Sequence, residues 1–203
     1  MRIYRSPRLL RWLFPSAIWK GADEHAVYLT FDDGPSQELT LWLLETLRKA
    51  EIKATFFCVG NNVKKHPELY RQIVADGHEV GNHTMQHENG LKTSVGDYLT
   101  SVKEARKQID SPLFRPPYGK LSVKQYLEIK RLHMKVVFWS WLSYDFDPSQ
   151  SMDQLKNKLH TINGGDILVF HDNPKAADTL FESLQYAIDF LRQKAFTFKT
   201  IQP

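Results

Sequence analysis

The sequence predicts one α/β domain whose parallel strands close into a seven-stranded, TIM-like (β/α) barrel. Three observations predict it. From residue 27 onward, short runs rich in Val, Ile, Phe and Thr alternate with stretches of helical periodicity, the pattern of right-handed βαβ units and a parallel sheet. A chain of 203 residues with 42% hydrophobic and 12% aromatic content can bury one sizeable core. No Gly-rich nucleotide loop follows the first run, which favours a closed barrel over an open doubly wound sheet.

Residues 1–26 are expected to form an arm packed on a domain of residues 27–203. The opening "MRIYRSPRLLRWLFPSAIWKG" does not read as a secretory signal, because Arg8, Arg11 and Pro15 cut its apolar run and no small-residue cleavage site follows. A cytoplasmic location is therefore the default expectation. Arg2, Arg5, Arg8 and Arg11 stand beside Leu9, Trp12, Leu13 and Phe14, which also allows a peripheral, basic membrane-surface anchor. At about 100° per residue, however, these arginines spread over half a helix circumference. No other stretch approaches the roughly 18 apolar residues of a membrane span.

The strand candidates are "AVYLTF", "KATFFCVG", "HEVGNH", "LFRPP", "KVVFWSW", "DILVFHD" and "FTFKTI". After the first, Ser36 can cap a helix that aligns Leu39, Trp42, Leu43, Leu47 and Ala50 on one face. Pro67 opens a helix expected to bury Leu69, Ile73 and Val74 and to stop at Gly77. Later helices are expected over 94–109, 122–134, 152–162 and 178–194.

The single cysteine, Cys58, excludes an intrachain disulfide, and its flanks "TFFCVG" read as core. A formal charge of +4 suits anionic surroundings. The basic residues are scattered and do not interleave with aromatics, so nucleic-acid binding is not expected.

In a barrel of this kind the chemistry gathers at the C-terminal ends of the strands. Asp32 and Asp33 lie where the first strand should end, "GNHTMQH" where the third ends, "RPPYG" after the fourth and "FHD" after the sixth. Successive strand residues face opposite sides, so two adjacent aspartates converge on one pocket only if the backbone turns, and Gly34 and Pro35 supply a turn. The bland alternative for the pair is an N-terminal acid for the next helix. His83 and His87 have the i, i+4 spacing that sets two imidazoles on one side of a helical turn, although two histidines alone equally describe a surface pair. With Asp33 they make a three-ligand set that leaves a position open for water, which is the mark of a catalytic rather than a structural metal site.

The segments "TFDDGP", "HTMQH", "RPPYG", the Asp-Phe after "WSWLSY", and "ILVFHD", in that order, resemble the five motifs of the polysaccharide deacetylases, the NodB-homology family of carbohydrate esterases. The resemblance implies a distorted (β/α) barrel, a divalent metal, usually zinc, and hydrolysis of N-acetyl groups on the amino sugars of a polysaccharide, peptidoglycan fragment or glycolipid. Carried over by position, it implies Asp32 as general base, Asp33, His83 and His87 as metal ligands, Arg115 as partner of the base, His171 as general acid and Asp145 as the group that orients it. Leu142 and Phe146 stand where the family's fourth motif has Asp and Trp.

The chemistry of these residue types agrees. Amide hydrolysis needs an activated water, a stabilised oxyanion and a proton for the leaving amine. An ionised Asp32 accepts protons only, and the Arg115 fork suits a carboxylate. Pro116 and Pro117 have no N–H, so the first backbone donor after Arg115 is that of Tyr118, a candidate for the oxyanion. Tyr118, Trp139, Trp141 and Phe146 read equally as core and as a sugar-stacking wall. His25, His66, His78, His133 and His160 have no converging partners. Two other functions stay open: a related barrel hydrolase cleaving a C–N bond of a small cyclic amide or ureide, and a non-catalytic glycan-binding domain.

Overall fold

A computed structural model describes residues 4–6 and 10–202, and within them the predicted alternation becomes a curled, wholly parallel sheet wrapped by helices. Strand β1 (Ala26–Asp32) lies at its centre, buried at every residue. It pairs in parallel with β2 (Thr55–Cys58) on one side and β7 (Ile167–His171) on the other. Beyond these run β3 (Glu79–Asn82), β4 (Leu113–Phe114), β5 (Lys135–Val136) and β6 (Trp141–Leu142), in the order β5-β4-β3-β2-β1-β7-β6. A short β8 (Thr197–Phe198) adds to the N-terminal end of β1.

Alternation along β1 decides what faces the barrel axis. Val27, Leu29 and Phe31 point outward into the main core, where the Phe31 ring lies 5.1 Å from that of Phe56 and 6.2 Å from that of Phe170. Ala26 and Tyr28 point inward, packing with Phe57, Leu113, Val137 and Ile167. Thr30 and Asp32 continue this inward row toward the top of the barrel.

Helices α2 (Gln37–Lys49), α4 (Pro67–Ala75), α5 (Val95–Arg106), α6 (Val123–Arg131), α7 (Met152–Leu159) and α8 (Ala177–Gln193) fall where the sequence places them. Among the described residues, two α-helices were not anticipated, α1 (Leu10–Leu13) and α3 (Gly60–Lys65). In α4 only Ile73 is fully buried, Leu69 being half-buried and Val74 exposed, because the helix touches the core along a narrow edge. The Ser36 side chain does not cap α2; its hydroxyl donates to Asp172 Oδ1 at 2.8 Å.

The run "KVVFWSW" is not one strand. Its start pairs with β4 and its end with β7, so the segment spans the two edges of the sheet. Between them Ile18 inserts, with Ile18 N–H donating to Val136 O and Phe138 N–H donating to Ile18 O, each at 2.8 Å. The distorted barrel is thus closed partly by residues of the N-terminal stretch. Tyr4, Phe14 and Trp19 are buried there, Trp19 stacking on Phe138 at 4.2 Å. Arg5 pairs with the buried Asp166 at 2.7 Å, and the Arg11 guanidinium lies 6.0 Å from the Trp19 ring centre. Arg2 and Arg8 lie outside the described residues, and Trp12 is 84% exposed. Among the described residues no helix is long and apolar enough to cross a membrane.

Candidate metal centre and active site

The tops of β1 and β7 are in register, Asp32 opposite His171, and the Asp172 N–H donates to Asp32 O at 2.7 Å. Asp32 faces inward as the last residue of β1. The chain then turns at once, because Asp33 itself adopts the left-handed region (φ 79°), and this swings its carboxylate over the same opening. The turn begins one residue earlier than the sequence indicates. Gly34 is required for a different reason: a Cβ there would lie 2.2 Å from Asp172 Oδ2. Asp172 is wholly buried, its Oδ2 accepting from Thr40 Oγ1 at 2.5 Å, and burial lifts its pKa to about 7 against the pull of these hydroxyls.

His83 and His87 do converge with Asp33, though not on a helical turn. They stand in an irregular loop after β3, shaped by positive φ at Thr84 (63°) and His87 (62°). Asp33 Oδ1 lies 3.5 Å from His83 Nε2 and 3.0 Å from His87 Nε2, and the three ligand atoms fall within 4.8 Å of one another. The other nitrogens are occupied. His83 Nδ1 is 2.7 Å from the carbonyl of Arg115, which can only accept, so in the neutral ring the proton sits on Nδ1 and Nε2 presents a lone pair. His87 Nδ1 is 3.1 Å from the Tyr118 hydroxyl.

Asp33 Oδ1 is buried with no hydrogen bond of acceptable geometry. Burial would raise the Asp33 carboxyl, but the two imidazoles and the charge of His171 outweigh it and hold the group well below the usual carboxylate range. An anionic oxygen facing two imidazole nitrogens, one of them committed to a lone pair, is a set of acceptors that a divalent cation satisfies. One carboxylate oxygen with two imidazoles is a donor set suited to zinc and leaves an open position. The residues present therefore fit the metal.

Two carboxylate–cation pairs flank this triad. Arg115, with no exposed surface, donates from Nη1 to Asp32 Oδ1 at 2.7 Å and to Thr30 Oγ1 at 2.6 Å, and from Nη2 to Phe138 O at 3.2 Å. Its guanidinium carbon lies 4.0 Å from the centre of the Phe57 ring, which covers one face of the planar group. On the other side His171 Nδ1 pairs with Asp145 Oδ1 at 2.7 Å, and Ser143 Oγ donates to the same oxygen at 2.7 Å. Burial alone would lower the His171 pKa, but Asp145, supported by Asp33 and Asp32, lifts it to about 9.

These groups open onto a cleft of about 820 Å³. Tyr118 (60% exposed), Trp139, Leu142 and Phe146 line one wall, with the Phe146 ring edge-on to His171 at 4.8 Å, whereas Trp141 is entirely core. Thus Asp32, Asp33, His83, His87, Tyr118 and His171 line one opening, and Arg115 and Asp145 are buried behind it as partners of Asp32 and His171. Sequence reasoning missed two asparagines that hold Asp33: Asn62 Nδ2 donates to its carbonyl at 2.7 Å, and Asn173 Nδ2 donates to its Oδ2. Asn173 stands two residues past β7, where the strand-end rule could have found it, whereas Asn62 lies inside the unanticipated helix α3. Of the five other histidines, His78 is buried, accepts from Ala54 N–H at 3.2 Å, and has its pKa pushed down to about 4 by burial.

Residues 20–137 match the family described as polysaccharide deacetylase. The chain is 31% identical over 186 residues to a peptidoglycan-N-acetylglucosamine deacetylase of Bacillus cereus, covering 88% of this chain and 87% of that protein. It is 33% identical over 192 residues to a peptidoglycan-N-acetylmuramic acid deacetylase of Bacillus subtilis, covering 88% and 70%. Its structure superposes on the crystal structure of the Bc1960 peptidoglycan N-acetylglucosamine deacetylase with a TM-score of 0.87 at 27% identity, covering 96% of this chain and 94% of the other.

Proposed function

The chain belongs to the polysaccharide deacetylase family, and from that premise we propose that its cleft hydrolyses the acetamido group of an N-acetylated glycan, with zinc held by Asp33, His83 and His87. The protein is a carbohydrate N-deacetylase. The observation that carries the detailed reading is the placement of the Asp33, His83 and His87 triad between two ready-made carboxylate–cation pairs, Asp32 with Arg115 and Asp145 with His171.

When bound, the divalent cation supplies Lewis-acid chemistry, activating water and polarising the amide carbonyl. The remaining work falls to side chains. Asp32, fixed by Arg115, accepts the proton of the attacking water. The oxygen of that water bonds to the carbonyl carbon, and the backbone N–H of Tyr118 meets the charge that develops on the carbonyl oxygen. His171 holds a proton above neutral pH and uses Asp145 to keep Nδ1 engaged, so Nε2 is the nitrogen that donates to the departing amine. The C–N bond breaks, leaving acetate and a free amino sugar. The exposed Tyr118 and Phe146 leave the cleft open along its rim, which suits a glycan chain better than a small cyclic amide or ureide.

The experiment is a mass-spectrometric screen of chitin oligomers and peptidoglycan fragments for loss of acetyl, with acetate measured in parallel. Equal amounts of acetate and free amine support the reading. A ureide or cyclic amide opened while every acetylated sugar stays intact overturns it.

A further inference from the structure

Asp145, the partner of His171, and Phe146, the cleft wall beside it, both sit on the loop 143–151 between β6 and α7. The inner side of that loop is tied to the sheet and to α8. Ser143 N–H donates to Val169 O at 3.1 Å, and the Thr179 hydroxyl donates to Asp145 O. Its outer side rests on Tyr4, a residue from the far end of the chain, which holds it at three points. The Tyr4 carbonyl accepts from Leu142 N–H at 3.0 Å, the ring meets Tyr144 edge-on with 5.0 Å between centres, and the hydroxyl donates to Gln150 Oε1 at 2.8 Å. Tyr4 and Gln150 are both buried, and Gln150 Nε2 has no partner. Among the described residues the Tyr4 hydroxyl is therefore the one hydrogen bond that fixes the Gln150 side chain.

The ring contacts continue inward, Tyr144 lying 5.7 Å from Phe146 and Phe146 4.8 Å from His171. Contacts thus run from Tyr4 to one imidazole by two routes, through the loop that carries Asp145 and through the row of rings. We infer that Tyr4 is a positioning residue for His171, bracing loop 143–151 so that the Asp145 carboxylate and the Phe146 ring stay against the imidazole. This rests on the reading of His171 as the acid and adds the N-terminal stretch to the machinery that holds it. Asp145 stabilises the charged ring only while its oxygen stays within hydrogen-bond reach of Nδ1, and a loop that loses its outer support lets that contact lengthen. Asp32 and Asp33 face the same ring from β1 and the turn after it, and Ser143 and Thr179 still hold the inner side of the loop, so a change at Tyr4 removes part of the support and not all of it.

The test titrates His171 by NMR in the metal-loaded wild type, Y4F, Y4L and Q150L, with kcat measured against pH beside it. Y4F removes the hydroxyl alone, Y4L removes the ring as well while keeping apolar bulk, and Q150L removes the acceptor from within the loop. The His171 midpoint should fall by about 0.5–1 pH unit in Y4L and by less in Y4F and Q150L, which should resemble each other. At pH 9 the protonated share of His171 in Y4L, and with it kcat, should then fall about two- to fivefold, with zinc content unchanged. A role in stability alone lowers the melting temperature and leaves the His171 midpoint where it is, and that result overturns the inference. Should Y4L fail to fold, Y4F and Q150L decide, and an unmoved midpoint in both overturns it too. A midpoint that falls while kcat at pH 9 holds upholds the brace and removes His171 from the role of acid.

Discussion

The carboxylate of Asp145 grips His171 at two points: Oδ1 lies 2.7 Å from the ring Nδ1, and Oδ2 accepts the His171 backbone N–H at 2.7 Å. Asp145 thereby fixes the position of the strand end and the proton state of the ring together. With the pKa lifted to about 9, His171 is an imidazolium throughout the neutral range. Turnover should fall on the alkaline side as pH passes about 9. In Asp145→Asn the ring loses its counter-charge and that limb should move to lower pH, with metal retained. A pH–rate profile of both proteins checks this. The sign for stability is the same: a raised histidine pKa contributes stability present below about 6.5 and lost as pH rises through about 9.

Arg115 is wholly buried and pairs with Asp32, so its removal strands a buried carboxylate. Arg115→Met should lower stability by about 3–5 kcal/mol. Arg115→Lys should recover only part of it, since one ammonium cannot serve Asp32, Thr30 and the Phe138 carbonyl from a planar fork stacked on Phe57. Urea unfolding measures both.

Much of this was legible in the residues. The parallel alternation places most strands and helices, and the strand-end rule gathers Asp32, Asp33, His83, Arg115 and His171. What escaped depended on tertiary contacts. Helix α3, "GNNVKK", has poor intrinsic propensity and is held by bonds to another loop, Gly60 N–H to Thr84 O and Asn61 N–H to Met85 O, each at 2.9 Å. "KVVFWSW" looks like one strand because its composition is uniform, while its pairing divides it between two sheet edges. The i, i+4 spacing of His83 and His87 suggested a helical turn, but left-handed Thr84 and His87 bring the rings together by another path.

Gly34→Ala tests the close approach beneath the site. The added methyl would fall on the buried Asp172 carboxylate, 2.2 Å from Oδ2. A loss of about 1–3 kcal/mol in stability is expected. Because Asp33 precedes Gly34, weaker zinc binding should accompany it, read by calorimetry.

The ligand set and the base can be separated. His83→Ala and His87→Ala should each lose zinc affinity. Asp32→Asn should keep the metal and lose about 10²- to 10⁴-fold in kcat, the range that a positioned general base contributes. Metal content by atomic emission, measured beside kcat, distinguishes the two outcomes.

The central claim is that Asp33, His83 and His87 hold a cation without which no acetyl group is removed. The most direct measurement is acetate release by metal-stripped protein as zinc is added back in known ratio. The account predicts negligible release without metal and a rise that saturates at one zinc per chain. The same titration should raise the melting temperature, because a metal that binds only the folded state stabilises it. Full acetate release from stripped protein, unchanged by added zinc, would contradict it.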